Sequence, residues 1–594
     1  MSSTSDPGNS ARTAPGVVPL LRLSPATVVL AIALADAITY PDSDLWGHVR
    51  FGQAILAAAH LVRTDPYSYS AAGHIWLDHE WLAEVAMAAA YKSLGVFGLK
   101  LLKLALTTLT FVFLSKAMGE TGASAGIQIA VVLLCAVAIS MQMEFRPQMF
   151  SFALLSILIF MLARDIYRRI EQLWLAIPLL LLWANLHGGF IVGLATLGVY
   201  TLVSGAQDLW SRRGVARGYK LGAISVAAAL ATIVTPYGIG IWQAVLHALA
   251  NPLTRNLILD WQPFARALLN QWQLSRAWSV GYICALAIVA AFAYAIVLAP
   301  AANDLGLVAV AIVMTLAAAM SVRNVPMALL TIATPLTYHL ALALNRRVAC
   351  DEAAHIRVSG RHTQLWLIQQ GVFCAAALTL LTASGMISKS LNSNGHYPAG
   401  AVRFMELHRL RGNVLDSFDW GEYLIWHLAP ASRVFIDGRY DTVYPTRVLN
   451  EMIAFNFNQT EVAQVLGADA SDYMLLPAKV PATRLIQARP DWKLAYCDEY
   501  FKLYLRPESR VRGKSNVRVV IDQLGAAQVL DAYPHDFVLL RADAPANQLM
   551  ETRADWKIIY RDDSSRLYAR AGSAAAHLPN LPSIGTSETT NFPW

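Results

Sequence analysis

From the end of its first apolar run the chain reads Asp36-Ala-Ile-Thr-Tyr-Pro-Asp42-Ser-Asp44-Leu-Trp-Gly-His48-Val-Arg50. Carboxylates two residues apart at a membrane surface are costly to desolvate without a partner or a role. Such a pair could hold a divalent metal, or supply a general base whose neighbour raises its pKa. The plainer alternative is a set of solvated acids, with Asp44 capping a helix that starts at Leu45. Trp76-Leu-Asp78-His79-Glu80-Trp81 could line a pocket, or be an aromatic belt with acids at a helix start. Glu144-Phe-Arg146-Pro-Gln148 and Arg323-Asn324 each fall in a tight turn between apolar runs. An arginine so placed needs an anion, either a phosphate or a carboxylate such as Asp42 or Asp44. In Asn185-Leu-His187-Gly-Gly the histidine could act on a substrate or serve only as a hydrogen-bond partner. Asp260-Trp261-Gln262-Pro263 could touch a substrate or anchor a loop.

The elements that must position these residues are apolar. Of 594 residues 56% are hydrophobic and only 15% are charged, against about 45–50% and about 25% in soluble domains. That balance excludes a soluble enzyme and a disordered or fibrous chain. Eleven runs of spanning length fall at 23–40, 99–117, 124–142, 148–163, 173–187, 189–206, 220–236, 279–298, 304–320, 326–344 and 366–386. Arginines cluster at 164, 168 and 169, at 212, 213 and 217, and at 346, 347, 357 and 361. With these clusters cytoplasmic, the tail before residue 23 is inside and everything after 387 is outside. Segment 81–97 carries Glu84 and Lys92, and spanning it would put two clusters on the wrong side. It is expected to lie flat in the interface. The first outer loop then runs from 41 to 98. The short basic inner loops carry no P-loop or GxGxxG pattern, so chemistry driven by a soluble nucleotide has no support. The five cysteines lack metal or redox spacing. A net charge of +7 requires no nucleic acid as partner.

The tail divides as an α/β domain, 388–574, and a polar end, 575–594, expected to be disordered. Within the domain Asp472–Arg506 matches Asp536–Arg570 at 16 of 35 positions with an offset of 64. With the upstream AQVL matches, the repeats run 463–506 and 527–570, which suggests duplication of one small unit. Asp437, Arg439 and Asp441 in VFIDGRYDTVYP could bind a sugar or phosphate, or form a structural Asp–Arg turn.

Acids, histidines and arginines thus gather at one face of a bundle that can accept a lipid tail. Arginine for phosphate and a carboxylate base suit a reaction on a lipid phosphate, and glycosyl transfer from a polyprenyl-phosphate sugar needs those parts. PDSDLWGHVRFGQAI in the first loop, an interfacial helix and EFRPQ in a second outer turn resemble the GT-C superfamily of polytopic glycosyltransferases, including its mannosyltransferase-like and aminoarabinose-transferase-like members. The resemblance covers about 20–386. It implies a GT-C-like transmembrane domain, 23–386, in the bacterial inner membrane, with the tail periplasmic or extracellular. It further implies an inverting transferase that moves sugar from a polyprenyl-phosphate donor to a glycan or lipid acceptor. The base would be Asp44 or Asp42, since Asp-Ser-Asp stands where many relatives show Asp-Glu. His48, Arg50, His79, Glu80, Glu144, Arg146, His187 and Arg323 are the expected substrate-binding side chains. The competing expectations are a flippase of lipid-linked sugars, which needs charges deep in several helices, a polysaccharide polymerase, and a non-enzymatic assembly protein. The tail pattern NVLDSFDWGEYLIWHLAPASRVFIDGRYD resembles tails of related bacterial membrane proteins.

Overall fold

The computed structural model describes residues 25–37, 42–251, 259–274, 276–300, 304–344, 397–457, and, between 471 and 571, the strands with a few adjoining positions. The expected span 366–386 and the third arginine cluster lie outside the described residues. The chain is a mostly helical, multi-pass membrane protein. Its helices are α1 (Pro25–Ala37), α2 (Leu45–Ala58), α3 (Trp81–Gly119), α4 (Ala125–Ile139), α5 (Gln148–Ala163), α6 (Ala176–Leu186), α7 (Phe190–Trp210), α8 (Ala216–Ala231), α9 (Gly240–Ala250), α10 (Phe264–Leu274), α11 (Arg276–Leu298), α12 (Leu305–Met320) and α13 (Val325–Ala343). Among the described residues five segments are long and apolar enough to cross a membrane: Trp81–Gly119, Gln148–Arg168, Phe190–Trp210, Val280–Leu298 and Val322–Ala343. Pro25–Asp36, Ala125–Ile139, Leu173–Leu186 and Leu305–Met320 are shorter apolar helices. The spanning windows of α5 and α13 are 83% buried against 33% for α11. The first two therefore form the centre of the bundle and α11 presents itself to lipid.

The expected interfacial helix and the span after it form one hydrogen-bonded element, α3, broken at Gly95. A straight 39-residue helix would run about 58 Å, twice the roughly 30 Å hydrocarbon core. Gly95 adopts φ 59° and ψ −140°, which only glycine takes at low cost. Just beyond it, a Cβ on Gly98 would collide with the Ala90 carbonyl, so the two arms fold close together. The arm 81–94 packs on α2 and the arm 96–119 packs on α5 and α1. One feature lies inside the bundle wall. Asp36 accepts from Thr107 Oγ1 at 2.6 Å and stands 3.6 Å from the buried Lys103 Nζ. Asp36, near the end of the first apolar helix, is thus partnered from α3.

The tail builds α14 (Ala399–Leu407), β1 (Gly412–Leu415), α15 (Gly421–Leu428), β2 (Ser432–Val434), α16 (Thr446–Phe457), β3 (Tyr473–Pro477), β4 (Lys493–Cys497) and β5 (Phe501–Leu505). Their sheet has the order β2-β1-β3-β5-β4, with β1 parallel to β2 and β3, and β5 antiparallel to β3 and β4. A second sheet, β6 (Phe537–Arg541), β7 (Trp556–Arg561) and β8 (Ser565–Arg570), has the order β6-β8-β7. The two matching segments share strand order and register. Tyr473 opposes Leu505 as Phe537 opposes Ala569, and the ladder slips between Leu494 and Tyr496 as it does between Ile558 and Tyr560. Arg506 lies over Trp492 at 4.8 Å, and Arg570 over Trp556 at 5.3 Å.

The first loop joins the tail as an added edge. Ser68 pairs in parallel with Val434 of β2, Tyr69 N–H donates to the Val434 carbonyl at 3.0 Å, and Val434 N–H donates to the Tyr67 carbonyl at 3.1 Å. That strand contact carries α15 and the turn after β2 over the start of α2.

Candidate functional site

The site begins with a charge problem. Arg146 sits in the turn before α5, and four carboxylates from three segments surround it. Its Nη2 donates to Asp42 Oδ2 and lies 2.9 Å from Glu144. Its Nη1 is 3.5 Å from Asp260 and 3.9 Å from Asp44. Asp42 is buried, and its second oxygen accepts Asp44 N–H at 2.7 Å. Burial works to raise the Asp42 carboxyl, but the Arg146 charge together with the hydrogen bonds from Glu144, Asp44 N–H and Arg146 holds Asp42 below the ordinary value. Asp44 keeps 29% of its side chain accessible at the mouth. Enclosure by protein, and then the Asp42 charge, push its carboxyl up to about 8. The same two causes lift Glu144 to about 8. The acids therefore divide: Asp42 is the standing counter-ion, and Asp44 is poised to exchange a proton near neutral pH.

Asp260 and Arg323 complete this end. Trp261 carries the Arg323 guanidinium 5.2 Å above its ring, and Gln262 O accepts Val322 N–H at 3.0 Å. Among the described residues Arg323 closes no ion pair with Asp42, Asp44 or any other acid. Gln142, Glu144, Arg146, Gln148, Asp260 and Arg323 line a small pocket.

A second cluster adjoins the first. Glu80 precedes α3 and meets His187 Nε2 at 3.4 Å, His79 Nε2 at 3.7 Å and His48 Nδ1 at 3.9 Å. Against burial, these imidazoles and Arg323 hold Glu80 down at about 2. His187 Nδ1 accepts Gly189 N–H at 2.9 Å and faces Ser151 Oγ at 2.7 Å, which leaves Nε2–H for Glu80. Trp183 Nε1–H donates to the same Ser151 oxygen at 2.6 Å. Burial pushes His187 down to about 3, so it is neutral at pH 7. His48 Nδ1 also lies 3.0 Å from Glu84, and burial lifts Asp78 to about 6.

The geometry revises several expectations. Asp44 does precede α2 and its carbonyl accepts His48 N–H at 3.1 Å, but its side chain makes no capping bond and is left for the mouth. Arg50, one turn along α2, turns to the Ala429 carbonyl of the tail at 3.4 Å and is not among the groups around Arg146. Asp260 is part of the acid ring rather than a loop anchor alone. Asp437 and Arg439 form the structural turn. Arg439 holds Asp437 through Nε at 2.9 Å and Nη2 at 2.7 Å, and reaches Asp65 at 2.8 Å. The rings of Trp76, Phe51 and Tyr67 stack round it at 4.8, 5.1 and 5.3 Å. Asp441 meets Asn251 Nδ2 at 3.4 Å. Glu422, which the sequence reading passed over, lies buried beside Asp44 and accepts Gly47 N–H at 3.1 Å. An acid on the inward face of the apolar helix GEYLIWHL is the signal that could have found it.

Asp42 spends one oxygen on Arg146 and the other on Asp44 N–H, and among the described residues no group of three His, Cys, Asp or Glu side chains is spaced to hold an ion.

No protein-family model and no curated protein sequence matches the chain. Solved structures resemble it at low identity. The Archaeoglobus fulgidus oligosaccharyltransferase tethered to an acceptor peptide with the NVT sequon is 13% identical, with 76% of this chain and 69% of that one covered and a TM-score of 0.43. AglB of the same organism, in complex with an inhibitory peptide and a dolichol-phosphate, is 12% identical with the same coverage and TM-score. ArnT from Cupriavidus metallidurans, bound to undecaprenyl phosphate, is 13% identical, with 82% of this chain and 98% of that one covered and a TM-score of 0.42.

Proposed function

We propose that the chain is a membrane glycosyltransferase that moves a sugar from a polyprenyl-phosphate donor to a hydroxyl of a cell-envelope glycan or lipid. The observation that carries this reading is the pairing of two unlike groups at one mouth. Among the described residues Arg323 closes no ion pair, and Asp44 is a carboxyl lifted to about 8. A base whose pKa lies near the working pH is the efficient one. In the reaction, the acceptor O–H bond breaks and its proton passes to Asp44. The acceptor oxygen bonds to the anomeric carbon on the face opposite the lipid phosphate, which inverts that centre. The bond from anomeric carbon to phosphate oxygen breaks, its electron pair stays on the phosphate, and Arg323 and Arg146 stabilise that charge. Glu80 and its imidazoles tie the loop ends before α3 and α7 together.

Orientation follows from the arginines. The α5 and α7 helices run from the site to the clusters at 164–169 and 212–217. Cytoplasmic clusters would place the site and the tail on the periplasmic side of a bacterial inner membrane. The test compares envelope lipids and glycans by mass spectrometry in a deletion strain and in an Asp44→Ala strain. The reading expects one glycosylated species to be missing from both, with its unglycosylated acceptor accumulating. An unchanged profile in both strains sinks it. A C-terminal alkaline phosphatase fusion should be active, and an inactive one overturns the orientation.

A further inference from the structure

The tail brings a carboxyl to the first loop that the proposed reaction has not used. Glu422 is the second residue of α15, it is 3% exposed, and its Oε2 accepts Gly47 N–H at 3.1 Å. Its other oxygen faces Asp44 across Gly438. A Cβ built on Gly438 would stand 2.7 Å from Glu422 Oε1 and 2.7 Å from Asp44 Oδ1. The two carboxyl oxygens are thus no further apart than twice that distance, yet they form no direct hydrogen bond. That separation is within reach of one hydroxyl oxygen hydrogen-bonded to both carboxyls, and a side chain at 438 would press on the two oxygens.

We propose that Glu422 is a positioning residue of the transfer site, a neutral carboxyl whose O–H, together with the Asp44 carboxylate, grips the acceptor hydroxyl in the gap beneath Gly438. This rests on the glycosyltransferase reading and names the place of its acceptor. The hydroxyl oxygen accepts from Glu422, and its proton points at Asp44, which removes it as the new glycosidic bond forms. Glu422 keeps its own proton throughout. The surroundings favour that neutral form. Burial comes first; Asp44, Asp437 and Asp42 then oppose a second negative charge against Arg439 alone, and Glu84 faces the same place from α3. A carboxylic acid kept neutral to donate a hydrogen bond is an established device in buried polar sites.

Difference infrared spectroscopy of the purified full-length protein, wild type against Glu422→Gln, tests the protonation without needing a substrate. At neutral pH the difference is expected to contain the C=O band of a protonated carboxyl. In an Asp44→Asn background the pH midpoint of that band should fall by about one unit or more, because the nearest negative charge is gone. No such band, or a midpoint that Asp44→Asn leaves in place, overturns the proposal. Glu422 acting only to hold α2 through Gly47 would give the same moved midpoint, and the Gly438→Ala variant tells the two roles apart. The second measurement returns variants to the deletion strain. Glu422→Gln keeps both the acceptor for Gly47 N–H and a donor for the gap, and should restore the missing glycosylated species. Glu422→Ala and Gly438→Ala should lower it at least about tenfold, as expected for a lost group that orients substrate. Restoration by Gly438→Ala overturns the seating of the acceptor in the gap. A band that behaves as expected in a protein whose deletion changes no envelope glycan leaves the carboxyl pair standing and removes the glycosyltransferase reading.

Discussion

Arg146 gives its closest ion pair to Asp42, while its other terminal nitrogen stays 3.9 Å from Asp44. That asymmetry assigns the two acids of Asp-Ser-Asp to different work. A carboxylate locked on a guanidinium cannot readily take a proton. The one left at the mouth, lifted to about 8, can.

Asp44→Asn is therefore expected to abolish sugar transfer with little change in thermal stability, because Asn keeps the shape and loses the base. Asp42→Ala should instead lower stability, by about 2–4 kcal/mol, since Arg146 loses its main partner while still enclosed. Thermal unfolding in detergent beside envelope mass spectrometry separates the two. Equal destabilisation by both substitutions would contradict the assignment.

The pH dependence has a definite sign. Asp44 and Glu144 both sit above their ordinary values, at about 8. A raised acid contributes stability that is present below its unfolded pKa and lost as pH rises through the folded one. The protein should therefore lose stability on going from about pH 4 to about pH 8 through these two groups. Transfer rate should rise over the upper part of that window as Asp44 ionises. Asp42→Asn should move the rate midpoint to lower pH, since it removes the charge that repels the Asp44 anion and frees Arg146 to approach. A midpoint that moves up in a pH–rate profile would count against this electrostatic account.

The chain of bonds from Trp183 through Ser151 and His187 to Glu80 is enclosed along its length. Ser151→Ala leaves the Trp183 indole N–H and His187 Nδ1 without that oxygen. The expected cost is about 1–3 kcal/mol, read as a drop in unfolding temperature. Ser151→Thr keeps the hydroxyl and should recover part of it. An alanine variant as stable as wild type would show that the chain does not hold the histidine.

Arg439 pins the tail to the first loop through Asp65 and three rings. Arg439→Ala strands Asp65 and Asp437 in a buried place and should cost about 3–5 kcal/mol. Hydrogen exchange should then show residues 64–76 and β2 losing protection together. Loss confined to the tail would mean that the loop holds itself.

The sequence by itself determined the membrane class, the ends of most apolar helices, the match between the two tail segments, and the loops where acids and arginines collect. These are local properties. Hydropathy over a span, charge beside it and residue identity at a fixed offset are read without knowing what touches what. Tertiary structure alone decided the division of labour. Whether Arg146 prefers Asp42 or Asp44, whether Asp260 joins them, whether Arg50 turns to the tail, and whether Arg439 binds ligand or Asp65 all depend on separations of a few ångströms between distant segments. Glu422 reaches Gly47 across 375 residues of sequence. Charge interactions in an enclosed site change steeply over such distances, and no local pattern in the chain encodes them.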